Sequence, residues 1–222
     1  MNQPLTAGLA VALVSLIAVF GPALGLSPWW ISLAALLGLG GLTLDAARFG
    51  GRGGHLLAEA LPGGEARLRR IAIHEAGHLL VAGVEGMVVN QVLVGSLACV
   101  RAGLSTSGST RLEPPQHAKL PAGELRRWSR VLQAGMVAES LIYGASVGGA
   151  DDRSLLGRLW GLSGLDVETA QREQRRARRE VEQWLRQHRA ELEQQAEVLL
   201  AQAPRLGRPG PSPDTNPEPA PR

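Results

Sequence analysis

The chain has 222 residues, which can hold one domain with appendages. Its net charge of +3 is too small to indicate a nucleic-acid-binding protein. Its single cysteine, Cys99, excludes an internal disulfide and suits a reducing compartment. The sequence has no G-x-x-x-x-G-K-[ST] segment, which excludes a phosphate-binding loop of that type.

The N-terminal part of the chain carries no charged side chain before Asp45. Residues 5–26 form one apolar stretch and residues 29–44 a second, and a membrane-spanning helix needs about 20 such residues. A cleaved signal peptide is disfavoured, because no Lys or Arg precedes the first stretch and a second stretch follows at once. The sequence therefore predicts a two-helix transmembrane hairpin over residues 1–47.

The turn of this hairpin is predicted within residues 25–30, where Pro28 breaks the helix and the following Trp pair suits a membrane–water interface. The second span is long enough only if it begins near this proline and runs into Ala46 and Ala47. Arg48 and Arg52 lie just past it. The positive-inside rule then places the following domain on the cytoplasmic side of the membrane, or in the stroma of a plastid.

Residues 48–65 are rich in glycine and are predicted to form a linker with about one helical turn. His55 lies in this linker, and we expect it to be solvent-exposed rather than a metal ligand. A mainly α-helical domain with a small β element is predicted over residues 66–203. The proline-rich residues 204–222 are predicted to be disordered.

Helices and one strand make up the predicted domain. Helices are predicted at residues 66–82, 120–143, 155–162 and 167–201, with Asp166 as the cap of the last. Residues 88–94 are rich in β-branched side chains and predict a strand, whose edge could pair with an extended peptide. Residues 101–119 contain Gly, Ser, Thr and Pro and predict a loop over the cleft. Arginines and glutamates alternate in the last helix and predict a solvated face.

The motif His74-Glu75-Ala76-Gly77-His78 lies in the first of these helices and matches the zinc-protease pattern H-E-x-x-H. Residues four apart lie on one face of a helix, so both imidazoles can bind one zinc ion at about 2.0–2.1 Å. Glu75 can then act as general base toward an attacking water. The alternative is a chance spacing without a metal, which would leave several buried polar groups in need of partners.

A catalytic zinc usually has three protein ligands, so a further ligand must come from elsewhere in the chain. The candidates are Glu139, Asp151, Asp152, His117 and His188. Glu139 lies in an apolar helix, where a buried carboxylate would be either a ligand or a group that orients a ligand imidazole. The two aspartates follow a glycine-rich turn and could instead serve the N-terminus of a helix. The residues alone leave these alternatives open.

Three segments, in this order, resemble the peptidase domain of the FtsH family of membrane-bound zinc proteases. They are the H-E-A-G-H motif, the segment A-G-M-V-A-E-S-L-I-Y-G and the turn G-G-A-D-D. With the long closing helix, the resemblance covers about residues 66–201. The site residues that it implies are Glu75 as the catalytic base, His74, His78 and Asp152 as zinc ligands, Asp151 as the alternative third ligand, and Glu139 as a group beside the ligands.

The chain departs from this family at the place of the family's ATPase module, where it has only residues 48–65. The resemblance thus implies a stand-alone, membrane-anchored zinc endopeptidase that cleaves flexible or unfolded proteins, including membrane proteins. Expected partners are protein or peptide substrates, the lipid bilayer, and further copies of the chain or an FtsH-type ATPase, without nucleic acid. The alternative is a non-proteolytic membrane scaffold or chaperone-like partner of an FtsH-type complex, with a structural zinc site.

Overall fold

The structure is a computed structural model that describes residues 12, 15–49, 51–115, 117 and 119–205. The described residues form a mainly helical protein with a small antiparallel sheet, as the sequence predicted. The chain divides into two compact units, residues 1–54 and residues 55–222. Residues 206–222 of the predicted disordered tail lie outside the described residues.

The first unit contains a long apolar helix, α1 (Pro28–Phe49), which follows a short helical turn at Pro22–Leu24. Its segment Pro28–Arg48 has 21 residues and is apolar enough to cross a membrane. Pro28 suits the first turn of a helix, because an N–H at this place would have no partner within the helix. The helix starts at this proline and continues past Asp45, so the second predicted span is long enough to cross a membrane.

The predicted pair of spans is wrong for the described residues, because α1 is the one helix among them that is long and apolar enough to cross a membrane. Residues 15–20 are helical, and the turn that begins at Gly21 ends this helix before the predicted limit of the first span. Pro22 contributes to that end, since proline cannot donate to a carbonyl in the preceding turn. Residues 5–11, 13 and 14 of the first predicted span lie outside the described residues.

The predicted linker contains a helix of nine residues, α2 (Arg52–Ala60), in place of a single helical turn. The carboxylate of Asp45 accepts hydrogen bonds from Gly53 N and Gly54 N, both at 2.9 Å. A carboxylate at this place satisfies amides that have no partner in the helix and interacts favourably with the helix dipole. Adjacent glycines indicated a flexible segment, whereas the stabilising aspartate lies in the preceding helix.

The second unit continues with further helices and a two-stranded sheet. In chain order its elements are α3 (Gly64–Val84), β1 (Val89–Val94), α4 (Ser96–Arg101), β2 (Gly108–Leu112), α5 (Ala122–Tyr143), α6 (Ala150–Leu162), α7 (Val167–Gln187) and α8 (Arg189–Gln202). The helices predicted at residues 66–82 and 120–143 are confirmed within a few residues. α6 begins at Ala150 rather than at Leu155, which places the two adjacent aspartates in its first turn.

The long closing helix is interrupted at His188, which separates α7 from α8. The His188 ring stacks on Trp184 with a centroid separation of 4.0 Å, and its Nδ1 donates to the Trp184 carbonyl at 2.9 Å. The prediction of a single helix over residues 167–201 is therefore wrong at this point. The sequence could not reveal the break, because the apolar spacing continues across it. The predicted cap is confirmed, since Asp166 Oδ1 accepts from Thr169 N at 2.7 Å.

β1 and β2 form an antiparallel pair in which Val92 lies opposite Thr110. The strand predicted at residues 88–94 is confirmed. The loop predicted over residues 101–119 is wrong, because β2 lies within it. The β2 sequence Gly-Ser-Thr-Arg-Leu has no alternation of apolar and polar side chains, so periodicity could not reveal the strand.

α3 is the central helix of this unit and packs against α5, α8 and both strands. Small side chains allow α3 and α5 to come close: Ala72 and Ala76 on α3 and Ala134 and Ala138 on α5 are all buried. A Cβ added at Gly77 would lie 2.7 Å from the carbonyl oxygen of Ala134. The motif on α3 therefore lies directly beside α5.

Candidate metal centre

His74 and His78 are buried side chains of α3, and their Nε2 atoms are 3.1 Å apart. A separation of four residues on a helix places both rings on one face. Their rings meet edge to face, with centroids 4.8 Å apart and planes inclined by 68°. The two imidazole nitrogens therefore point to one place.

Asp152 completes the cluster from the first turn of α6. Its Oδ2 lies 3.1 Å from His74 Nε2 and 3.4 Å from His78 Nε2. The turn before α6 makes this possible, because Gly149 has a φ of 85°, in the left-handed region that favours glycine. A Cβ at Gly149 would also come within 2.7 Å of Met136 Sδ. A glycine at this turn thus allows α6 to begin against α5.

The other nitrogen of each ring is held by an acceptor outside the cluster. His74 Nδ1 donates to Glu139 Oε1, and His78 Nδ1 donates to the carbonyl oxygen of Val131, both at 2.7 Å. A neutral imidazole that donates from Nδ1 carries a lone pair on Nε2. Two lone pairs and the Asp152 carboxylate therefore converge, which is an arrangement that a cation satisfies.

The dimensions of the cluster fit a metal ion. Tetrahedral ligands at about 2.0–2.1 Å from an ion are about 3.3 Å from one another. The three ligand-atom separations are 3.1, 3.1 and 3.4 Å. A Cβ at Gly135 of α5 would lie 2.5 Å from His78 Nε2 and closer still to His74 Nε2, so a glycine keeps the space beside these atoms open. His74, His78 and Asp152 can hold a metal ion.

The cluster also attracts protons. Burial disfavours the charged ring of His74, but its hydrogen bonds with Asp152 and Glu139 outweigh burial and raise its pKa to about 10. Burial likewise disfavours the charged carboxylate of Asp152, but hydrogen bonds with His74 and His78 hold its pKa below the usual range. The field of the surrounding carboxylates therefore favours a positive charge at this place.

The remaining candidate ligands do not join the cluster. Within the described residues, His74, His78 and Asp152 are the one group of this kind close enough to share an ion. Asp151 and His117 are exposed, and His188 lies at the end of α7. His55 is half-buried, with Arg67 Nη2 2.7 Å from its Nδ1, so the expectation that it is solvent-exposed is wrong.

Glu139 lies behind His74 and is surrounded by hydrogen-bond donors. Besides His74 Nδ1, its carboxylate accepts from Arg70 Nε at 2.6 Å, Val147 N at 3.0 Å and Gly148 N at 3.1 Å. Burial raises the pKa of Glu139, but the hydrogen bonds from His74, Val147 and Arg70 together lower it to about 2. Glu139 is thus an anion that orients the His74 ring, which corresponds to the second of its two sequence interpretations.

Arg70 supports this arrangement from the other side. Its Nη2 donates to the carbonyl oxygen of Ala145, and its guanidinium lies 4.9 Å from the centre of the Tyr143 ring. One side chain therefore ties Glu139 to the turn that precedes α6. Sequence alone could not reveal this role of Arg70, because its partners lie more than 60 residues away.

Glu75 is 4% exposed and faces β2. Its Oε2 accepts a hydrogen bond of 2.7 Å from the hydroxyl of Thr110. A Cβ at Gly108 would overlap Oε1 of Glu75 and lie 2.6 Å from Ile71 Cγ2. Burial raises the pKa of Glu75, against the lowering effect of His78, His74 and Thr110. Thr110 and Gly108, the two β2 residues that contact Glu75, lie in the segment that the sequence predicted as a loop.

A surface groove of about 430 Å³ is lined by arginines that pair with glutamates, among them Arg126, Arg130 and Arg176. Arg126 Nε donates to Glu173 at 2.7 Å, and Arg130 bridges Glu85 and Glu180 at 2.5 and 3.3 Å. Acidic partners therefore offset much of the positive charge at this groove, in keeping with the solvated face predicted for the last helix.

The chain matches no protein-family model and no curated protein sequence. The resemblance to FtsH-type peptidases therefore rests on the three motif segments of the sequence. The geometry defines a coarser class, a buried His–His–Asp group that can hold a metal ion beside a buried glutamate.

Proposed function

We propose that this chain is a membrane-anchored zinc endopeptidase of the FtsH type that has no ATPase module of its own. One observation carries the proposal: the two histidines of H-E-x-x-H and Asp152 converge within 3.4 Å, and the motif glutamate is buried beside them. Hydrolysis of a peptide bond by a zinc enzyme of this type requires a metal ion and a general base next to each other.

The catalytic roles follow from these positions. Zinc held by His74, His78 and Asp152 would supply Lewis acidity, which lowers the pKa of a water and polarises a peptide carbonyl. Glu75 accepts the proton of the attacking water and delivers it to the nitrogen of the departing amine. Burial raises the pKa of Glu75, which suits this double role. A carboxyl group with a raised pKa holds the accepted proton better and can still release it to the amine. Glu139 keeps the His74 lone pair directed at the ion.

The substrate edge proposed for this peptidase is on β2 rather than on β1, where the sequence placed it. The Thr110 side chain of β2 contacts Glu75, and β1 pairs with one edge of β2 in the described two-stranded sheet. Gly95 N donates to Ser107 O at 2.9 Å, so the antiparallel alternation directs the backbone groups of Gly108 and Thr110 away from β1. An extended peptide pairing at this edge would lie beside the base, which favours flexible or unfolded substrates.

The proposed anchor is α1, whose segment Pro28–Arg48 can span a bilayer. Arg48 and Arg52 follow it, and the positive-inside rule places the peptidase on the cytoplasmic or stromal side. Membrane proteins with flexible segments on that side are therefore proposed as substrates. Further copies of the chain and an FtsH-type ATPase are the proposed protein partners, and the ATPase is the one that would supply unfolded protein.

The second candidate function is a non-proteolytic membrane scaffold or chaperone-like partner that keeps its metal for structure. The lack of a nucleotide-binding loop of this type favours the scaffold, because without such a loop the chain has no means of binding ATP in this way to drive unfolding of a substrate. A structural metal has no need of a general base, however. The buried Glu75 beside the cluster thus favours the peptidase.

The test is cleavage of an unfolded protein by the full chain in detergent micelles. Fluorescently labelled casein serves as substrate, and Glu75→Gln is compared with wild type at equal zinc content. Loss of the base should lower kcat by at least about 100-fold. Glu65→Gln, on the exposed first turn of the same helix, is the matched control and should keep full activity. Equal inertness of wild type and Glu75→Gln with zinc bound would exclude the peptidase and leave the scaffold.

A further inference from the structure

We infer that Thr110 is a positioning residue for the general base, and that β2 is therefore part of the catalytic apparatus as well as the proposed substrate edge. The inference rests on the proposed function. Its basis is the 2.7 Å hydrogen bond from the Thr110 hydroxyl to Glu75 Oε2. Among the described residues, this hydroxyl is the one protein donor to that carboxylate.

A buried glutamate needs such a restraint if it is to act as a base. Its side chain has three rotatable bonds, and an interior carboxylate without a partner turns toward whichever donor is near. The Thr110 hydroxyl binds one oxygen and so determines where the other oxygen lies. The restrained carboxylate can then meet the water in a single orientation, which is the condition for efficient proton transfer.

Gly108 contributes the space that this orientation requires. A Cβ added at Gly108 would overlap Oε1 of Glu75, so only a glycine leaves room for this oxygen. No protein donor to Oε1 occurs in the described part of the chain, so this oxygen keeps its lone pairs for water. Thr110 and Gly108, two residues apart on one strand, thus hold one oxygen and leave the other free.

The position of Thr110 connects the base to the substrate. Its side chain contacts Glu75, whereas its backbone groups face the outer edge of β2. A peptide that pairs with this edge would bind the same residue that orients the carboxylate. Loss of the hydroxyl leaves these backbone groups in place, so it should affect turnover more than peptide affinity.

The test compares Thr110→Val, which removes the hydroxyl and keeps the shape, with Thr110→Ser, which keeps the hydroxyl. We expect Thr110→Val to lower kcat for casein by about 10- to 100-fold, the cost of one hydrogen bond to a charged group, with KM within about twofold of wild type. Thr110→Ser should restore kcat to within about threefold of wild type. Zinc content and helical circular dichroism should be unchanged in both variants.

Ser109→Ala is the matched control, because it removes a hydroxyl from the neighbouring position of the same strand, and it should keep wild-type kcat. The inference is overturned if Thr110→Val keeps wild-type kcat, if Thr110→Ser is as slow as Thr110→Val, or if Ser109→Ala is equally slow. Those outcomes leave the proposed function intact, provided that wild type cleaves casein and Glu75→Gln does not. An inert, zinc-loaded wild type would overturn both, since Thr110 would then have no catalytic base to position.

Discussion

His74 and Glu139 are joined by a 2.7 Å hydrogen bond from Nδ1 to Oε1, on the side of the imidazole opposite to Asp152. Glu139 is 2% exposed, and Arg70 Nε and the backbone amides of residues 147 and 148 also donate to its carboxylate. This anion fixes the direction of the ring and makes its other nitrogen a better electron donor. The cluster therefore depends on a residue that does not belong to it.

Removal of this anion should weaken metal binding. In Glu139→Gln the amide keeps a hydrogen-bond acceptor and loses the charge, so the affinity for zinc should fall by about 10- to 100-fold. Competition with a chromophoric chelator measures this change. Glu197→Gln, which alters a half-exposed carboxylate paired with Arg69 on the surface, should bind zinc like wild type. Unchanged affinity in Glu139→Gln would contradict the role of Glu139 in orienting His74.

A methyl group at Gly135 should close the metal centre. Its Cβ would lie 2.5 Å from His78 Nε2, where no side-chain atom fits beside an ion. Gly135→Ala is therefore expected to purify without stoichiometric zinc while α5 remains helical, as checked by elemental analysis and circular dichroism. Gly123→Ala, in the same helix and with open space around its Cβ, should keep zinc. Zinc retained equally in both variants would contradict the placement of α5.

Zinc affinity should increase with pH. The raised pKa of His74, about 10, means that the metal-free cluster carries a proton which zinc must displace. Loss of one proton on binding makes the affinity rise about tenfold per pH unit between about pH 7 and 9. In the chelated protein the same proton stabilises the fold below about pH 6.5, and this contribution is lost as the pH rises through about 10. Competition titrations across this range would contradict the argument if the affinity were constant.

The local part of the site could be predicted from sequence, because spacing on one helix decides it. His74 and His78 share a face at any i, i+4 separation, and an isolated carboxylate such as Glu139 in an apolar helix must have a partner. The choice between Asp151 and Asp152 needed the resemblance to a family, and the structure brings the second of them to the histidines.

The long-range part could not be predicted, because it depends on how closely separate elements pack. Gly135 and Gly108 matter through the space that they leave beside α3, and a glycine in a sequence does not reveal its neighbours. Thr110 lies in a strand without apolar alternation, so the strand and its contact with Glu75 were both missed. Asp45 stabilises α2 from the preceding helix, a contact that made a glycine-rich segment helical.

The zinc content and zinc affinity of Asp152→Ala, measured beside Asp151→Ala, test the proposed metal centre most directly. Asp152 Oδ2 lies 3.1 and 3.4 Å from the two histidine nitrogens, whereas Asp151 is exposed. We expect one zinc per chain in wild type and in Asp151→Ala. For Asp152→Ala we expect a loss of affinity beyond about 100-fold, which is the most that a residue contacting only a ligand contributes. Stoichiometric, tightly bound zinc in Asp152→Ala, or its loss in Asp151→Ala instead, would contradict the proposed metal centre.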